Sequence, residues 1–264
     1  MKINIDHWVK FMISVGILNL LLVTYLFTNI KGNFELKITL LAACYVIVNS
    51  IRSIWLRQDN TRICVFDSLM SSPLFGRSIT TFSELAFVLL IVLVTKQIVN
   101  KGNHNPQLNI ALNIIFIIIV IAEVFCWIGC LSYNQYWNMI EESSWTLSSI
   151  ILIIVFCILY VNNDNKHISK FLYAGFLGCL IYITFMIKVD VPMYFRRGNT
   201  KVTEEYKRKT LMQKIYDMSK CKKISKTNED WDDEIPWMTS YFTFGSWAAL
   251  AIVIWYKSNR KMFK

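Results

Sequence analysis

The chain has 264 residues, of which 55% are hydrophobic and 17% are charged, with a formal net charge of +10. A soluble domain carries about 45–50% apolar and about 25% charged residues, so a soluble globule does not fit. Four Pro and nine Gly exclude a collagen-like or low-complexity chain, and low charge with high hydrophobicity excludes disorder.

A membrane span needs about 20 mainly apolar residues. Seven stretches qualify, at approximately 8–29, 38–56, 78–99, 108–132, 143–161, 169–189 and 238–256. The first, around Val9–Phe27, is too long for a signal-peptide core and has no Ala-x-Ala exit, so it reads as an uncleaved span. The fourth and fifth contain Ile114–Ile121 and Ile150–Phe156, runs rich in β-branched Ile. Their length and lack of turn signals decide for helix over strand. Backbone groups in lipid must bond within their own segment. The expectation is therefore an all-α polytopic membrane bundle of about seven transmembrane helices, a single multi-pass domain over 1–264. No internal repeat is visible.

Two connections are long. Residues 57–77 hold Pro73, Gly76 and three Arg, and 190–237 form the one sizeable extramembrane piece. In the latter, Val202, Tyr206, Leu211, Ile215 and Met218 recur at roughly helical spacing among lysines. A basic interfacial helix on anionic lipid headgroups, through Lys201–Lys226, would look like this. So would a solvated helix with its apolar edge on the bundle. The acidic run Glu229–Glu234 precedes Pro236, as expected before a helix start, where the dipole favours acids and Pro fits the first turn.

With seven spans the termini lie on opposite faces. The face of the N-terminus, here face A, carries Arg57, Arg62, Arg77 and the basic block, in which 12 of the 28 Lys and Arg fall within Lys188–Lys226. That density leans toward a cytosolic face A. It does not point to nucleic acid, because no zinc-finger spacing, phosphate loop or stacking motif accompanies it. The partners expected are the bilayer and its headgroups. The seven cysteines are odd in number and scattered, and read as small packed hydrophobes rather than a disulfide framework.

Ionisable groups inside spans are costly and mark sites. Here they are Arg52, Glu84 and Glu123, with Glu141 and Glu142 at the mouth of span five. At 1.5 Å per residue all lie within about 15 Å of face A, and the other half of the spans is almost purely apolar. Arg77, Thr80, Thr81 and Glu84 share one helical face; Glu123, Cys126, Trp127 and Cys130 share another. Seven of the nine Trp also sit toward face A, as an aromatic belt or a ligand pocket would require.

The bland reading is that Arg52 pairs with Glu84 or Glu123, and that Glu141 and Glu142 are dipole-favoured acids at a helix start. The sharper reading notes surplus negative charge, which must protonate, bind a cation or open to water. It makes Glu84 and Glu123 acid, base or cation ligands, with Arg52, Arg77, Glu141 and Glu142 as ligand-binding groups. A membrane-embedded enzyme or ligand-binding protein, an ion-coupled transporter and a non-catalytic organiser all remain open. A retinal protein needs a mid-span Lys, which span seven lacks. A His-based metal site is not supported by His7, His104 and His167, which lie near ends or in loops. Neither substrate, cofactor nor metal is legible. Small-residue pairs, Ala174 with Gly178, Gly245 with Ala249 and Ser144 with Ser148, predict close helix packing.

Overall fold

The computed structural model describes residues 4–102, 105–198 and 204–263. Lys201, Val202, His104 and Lys264 lie outside the described residues. Among the described residues, seven helices are long and apolar enough to cross a bilayer. They are α1 (Ile5–Leu26), α2 (Asn33–Ile54), α3 (Pro73–Lys101), α4 (Gln107–Ser132), α5 (Tyr136–Val161), α6 (Lys166–Gly198) and, after three short helices, α10 (Ile235–Phe263). The short ones are α7 (Glu204–Lys207), α8 (Leu211–Met218) and α9 (Asn228–Trp231).

Successive helices pack as neighbours from α1 to α6, and α10 returns to lie against α1, α2 and α3. The bundle is inside-out relative to a soluble protein. Leu21 is 63% exposed and Ile181 73%, because the outer stripe of each rod is left for lipid. The core of the face-B half is mainly apolar: Val92, Ile98, Leu112, Ile119, Val155 and Leu159 form one cluster, and Ile38, Val46, Leu90, Val94 and Val253 a second. Close approach occurs at Gly245, where a Cβ would stand 2.9 Å from the Tyr45 hydroxyl, but not at every small residue that the spacing picks out. Gly178 faces open space, whereas a Cβ on Gly175 would stand 2.6 Å from the Phe156 ring.

Face A carries a folded layer that the apolar periodicity did not reveal. β1 (Arg57–Gln58) pairs antiparallel with β2 (Ile63–Cys64), and β2 pairs in parallel with β3 (Lys223–Ile224). The two long connections are thus one small sheet. The turn between β1 and β2 ends at Arg62, a non-glycine residue with φ 58°. Its guanidinium donates to the Tyr206 hydroxyl at 2.8 Å and lies 4.3 Å from the Tyr133 ring, contacts that offset the local strain. The expected continuous basic helix is two short ones, because Thr210 breaks the run and caps α8 in a reciprocal box with Gln213.

One expectation is corrected outright. Cys64 and Cys221 form a disulfide across 157 residues of chain. Scattered spacing hid it, since only the sheet brings β2 beside the segment after α8. Five other cysteines are free.

Candidate functional site

The site begins where the chain enters α3. Ser72 accepts from the Phe75 amide and Pro73 occupies the first turn, so α3 starts sharply. Gly76 follows, where a Cβ would fall 1.5 Å from Arg57 Nη2. Glycine therefore lets the Arg57 guanidinium lie on the helix backbone. Burial pushes Arg57 down to about 10, partly offset by Asp59, whose Oδ1 accepts from its Nε at 2.9 Å.

Arg77, one residue on, turns inward and is 5% exposed. Its Nη2 donates to Glu84 Oε2 at 2.6 Å and to Glu123 Oε2 at 2.7 Å, and stands 3.7 Å from Glu141 Oε1. One nitrogen thus meets carboxylates from α3, α4 and α5. Glu84 lies two turns along the same helix, as the sequence spacing requires. Glu123 and Glu141 arrive from neighbouring rods at the same depth. All three are buried, at 7%, 3% and 4% exposure.

Each carboxylate has a further ligand. Tyr241 Oη, on α10, donates to Glu84 Oε1 at 2.6 Å. Thr81 Oγ1 donates to Glu123 Oε2 at 2.8 Å and accepts from Trp127 Nε1 at 3.0 Å. Asn138 Nδ2 donates to Glu141 Oε2 at 3.1 Å. Gly129 leaves room for Asn138, whose Oδ1 would lie 2.3 Å from an added Cβ. Within the Arg77 cluster, Glu123 Oε1 and Arg77 Nε are buried without a hydrogen-bond partner among the described residues. One oxygen from each of the three glutamates can be chosen so that all lie within 4.8 Å of one another.

Arg52 does not join this cluster. It pairs with Asp59 at 3.8 Å and lies 5.3 Å from the Tyr241 ring centroid. It therefore lies behind the tyrosine that holds Glu84. The simple pairing of Arg52 with Glu84 or Glu123 is thus replaced by Arg77, which depth along the chain could not distinguish. Glu142, half-buried, stands beside the cluster, with Asp190, Glu141 and Glu84 as its acidic neighbours and Arg77 as its nearby cation. Helix α5 begins at Tyr136, earlier than its hydropathy suggests. Glu141 and Glu142 are therefore past the first turn, where the dipole acts, and that account of them fails.

Sequence reasoning did not single out Tyr241, Asn138 or Asp59. A tyrosine in an apolar span resembles any belt residue, and the other two lie in or near a connection. The chain matches no known protein family, no curated protein and no solved structure.

Proposed function

We propose that this multi-pass membrane protein binds a small cationic ligand, most simply a divalent metal ion, at Glu84, Glu123 and Glu141 near face A. The supporting observation is the charge count at the cluster. Three buried carboxylates meet one guanidinium, and Glu123 Oε1 is left without a donor. Desolvating two uncompensated carboxylates is costly, and a divalent ion balances them. Arg77 then neutralises the third and fixes the geometry. The donors are carboxylate oxygens, with the Tyr241 hydroxyl beside them, a set suited to Mg²⁺, Ca²⁺ or Mn²⁺ rather than to a soft metal.

The mainly apolar face-B core offers few polar groups to line a route through the bundle, so a site loaded from face A fits better than a transporter. The test is thermal unfolding of the purified protein in detergent with and without each ion. A bound ion at 100 times its Kd stabilises by about 2.7 kcal/mol. A saturable rise in Tm is expected for the wild type and not for Glu123→Gln. No rise with any of the three ions excludes the reading.

A second reading has its own observation. Leu211, Met212 and Tyr216 of α8 are exposed, beside Lys214, Lys220 and Lys222. This edge suits contact with anionic lipid headgroups, and vesicle flotation with and without anionic lipid tests it.

A further inference from the structure

We infer that face A lies in an oxidising, non-cytosolic compartment, so that the N-terminus is outside and the C-terminus is cytosolic. The deciding observation is the Cys64–Cys221 disulfide, which ties the two face-A connections together. Protein disulfides persist at the cell exterior, in the secretory lumen or in the periplasm, and are reduced in the cytosol.

The opposite face agrees. Its three connections are short, and each is flanked by lysines: Lys31 and Lys37, Lys96 and Lys101, Lys166 and Lys170. Lys31, Lys37, Lys101, Lys166 and Lys170 are exposed. The tail adds Lys257, Arg260 and Lys261. Acids there are Glu35, which is buried against Lys257 and Arg260, and Asp164. Short lysine-flanked loops are the pattern of a cytosolic face.

A raw count of Lys and Arg favours the reverse orientation. In the fold, however, many of the face-A cations are engaged within the protein, as Lys257 and Arg260 are on the opposite face. Arg52 and Arg57 meet Asp59, Arg62 and Lys209 meet Asp217, Arg197 meets Glu234, and Lys223 meets Asp230. The disulfide carries more weight than the count, because it needs an oxidising medium whereas loop charge only biases insertion. The placement is independent of whether the carboxylates bind anything; if they do, they draw their ligand from the exoplasmic side.

Two measurements on the full chain, expressed into microsomal membranes, test this. Thiols are alkylated with a mass-tagging maleimide under denaturing conditions, before and after reduction. The expected result is five modified cysteines rising to seven, with Cys64→Ser and Cys221→Ser each giving six before reduction. In parallel, a tag bearing an Asn-x-Thr acceptor is inserted at Arg208 or at Asp164. Glycosylation at 208 and not at 164 is expected. Seven thiols without reduction, a glycan at 164, or no glycan at 208 would each overturn the assignment.

Discussion

A single nitrogen, Arg77 Nη2, organises the polar interior. Removing a guanidinium from a buried pair leaves its partners charged and uncompensated, which costs about 3–5 kcal/mol; here three carboxylates are left. Arg77→Met is therefore expected to abolish folding or lower Tm more than any other single change at the site. Tyr241→Phe deletes one donor and keeps the ring against Arg52 and Tyr45. It should cost about 1–3 kcal/mol, read as a smaller fall in Tm in the same detergent. Equal effects of the two would mean that the cluster is held by packing rather than by charge. Such a ranking belongs to the side chains alone, since neither substitution alters a helix boundary.

At the scale of elements, the start of α3 depends on a missing methyl group. Gly76→Ala drives a Cβ into the Arg57 guanidinium, and overpacking of this kind costs about 1–3 kcal/mol. Adding Arg57→Ala should recover much of that loss, so a double-mutant cycle by thermal unfolding is expected to show strong coupling. The β3–α9 turn gives a pH prediction. Asp230 is held below its ordinary carboxylate range, first by Lys223, then by the Ser225 and Thr227 hydroxyls. A carboxylate with a depressed folded value contributes stability that is present above its unfolded value and lost as pH falls through the folded one. Protection of this turn from amide exchange should therefore fall below about pH 4, and Asp230→Asn should remove that acid-dependent component. A pH-independent protection profile in the wild type would show that the hydrogen bonds there do not hold the turn.

For the molecule as a whole, lipid is part of the fold. Helix α6 has only 11% of its most apolar window buried inside the protein, so its stability depends on a hydrocarbon surround. The chain is expected to stay in the membrane pellet through alkaline carbonate extraction; release into the supernatant would contradict seven spanning helices. The polar cluster and the disulfide-tied sheet occupy the same face, and the opposite half is packed mainly by apolar side chains. This asymmetry gathers the buried cluster of Glu84, Glu123 and Glu141 at one leaflet.

The seven rods and the depth of their charges can be read along the chain alone. Both follow from counting along a chain that rises a fixed 1.5 Å per residue and must satisfy its backbone internally. Arg52, Glu84 and Glu123 were legible as charges at one level, Arg77 as the surface end of the stripe that leads to Glu84, and Glu141 and Glu142 as groups at the mouth of α5. Which side chains meet is set by packing in three dimensions. Rotation of each rod about its axis is set by packing against its neighbours, so Arg77 rather than Arg52 holds the glutamates, and Tyr241 and Asn138 complete the shell. The Cys64–Cys221 bond was illegible for the same reason. Strands of two residues carry no periodicity, and their pairing arises from segments far apart in sequence brought together above the bundle.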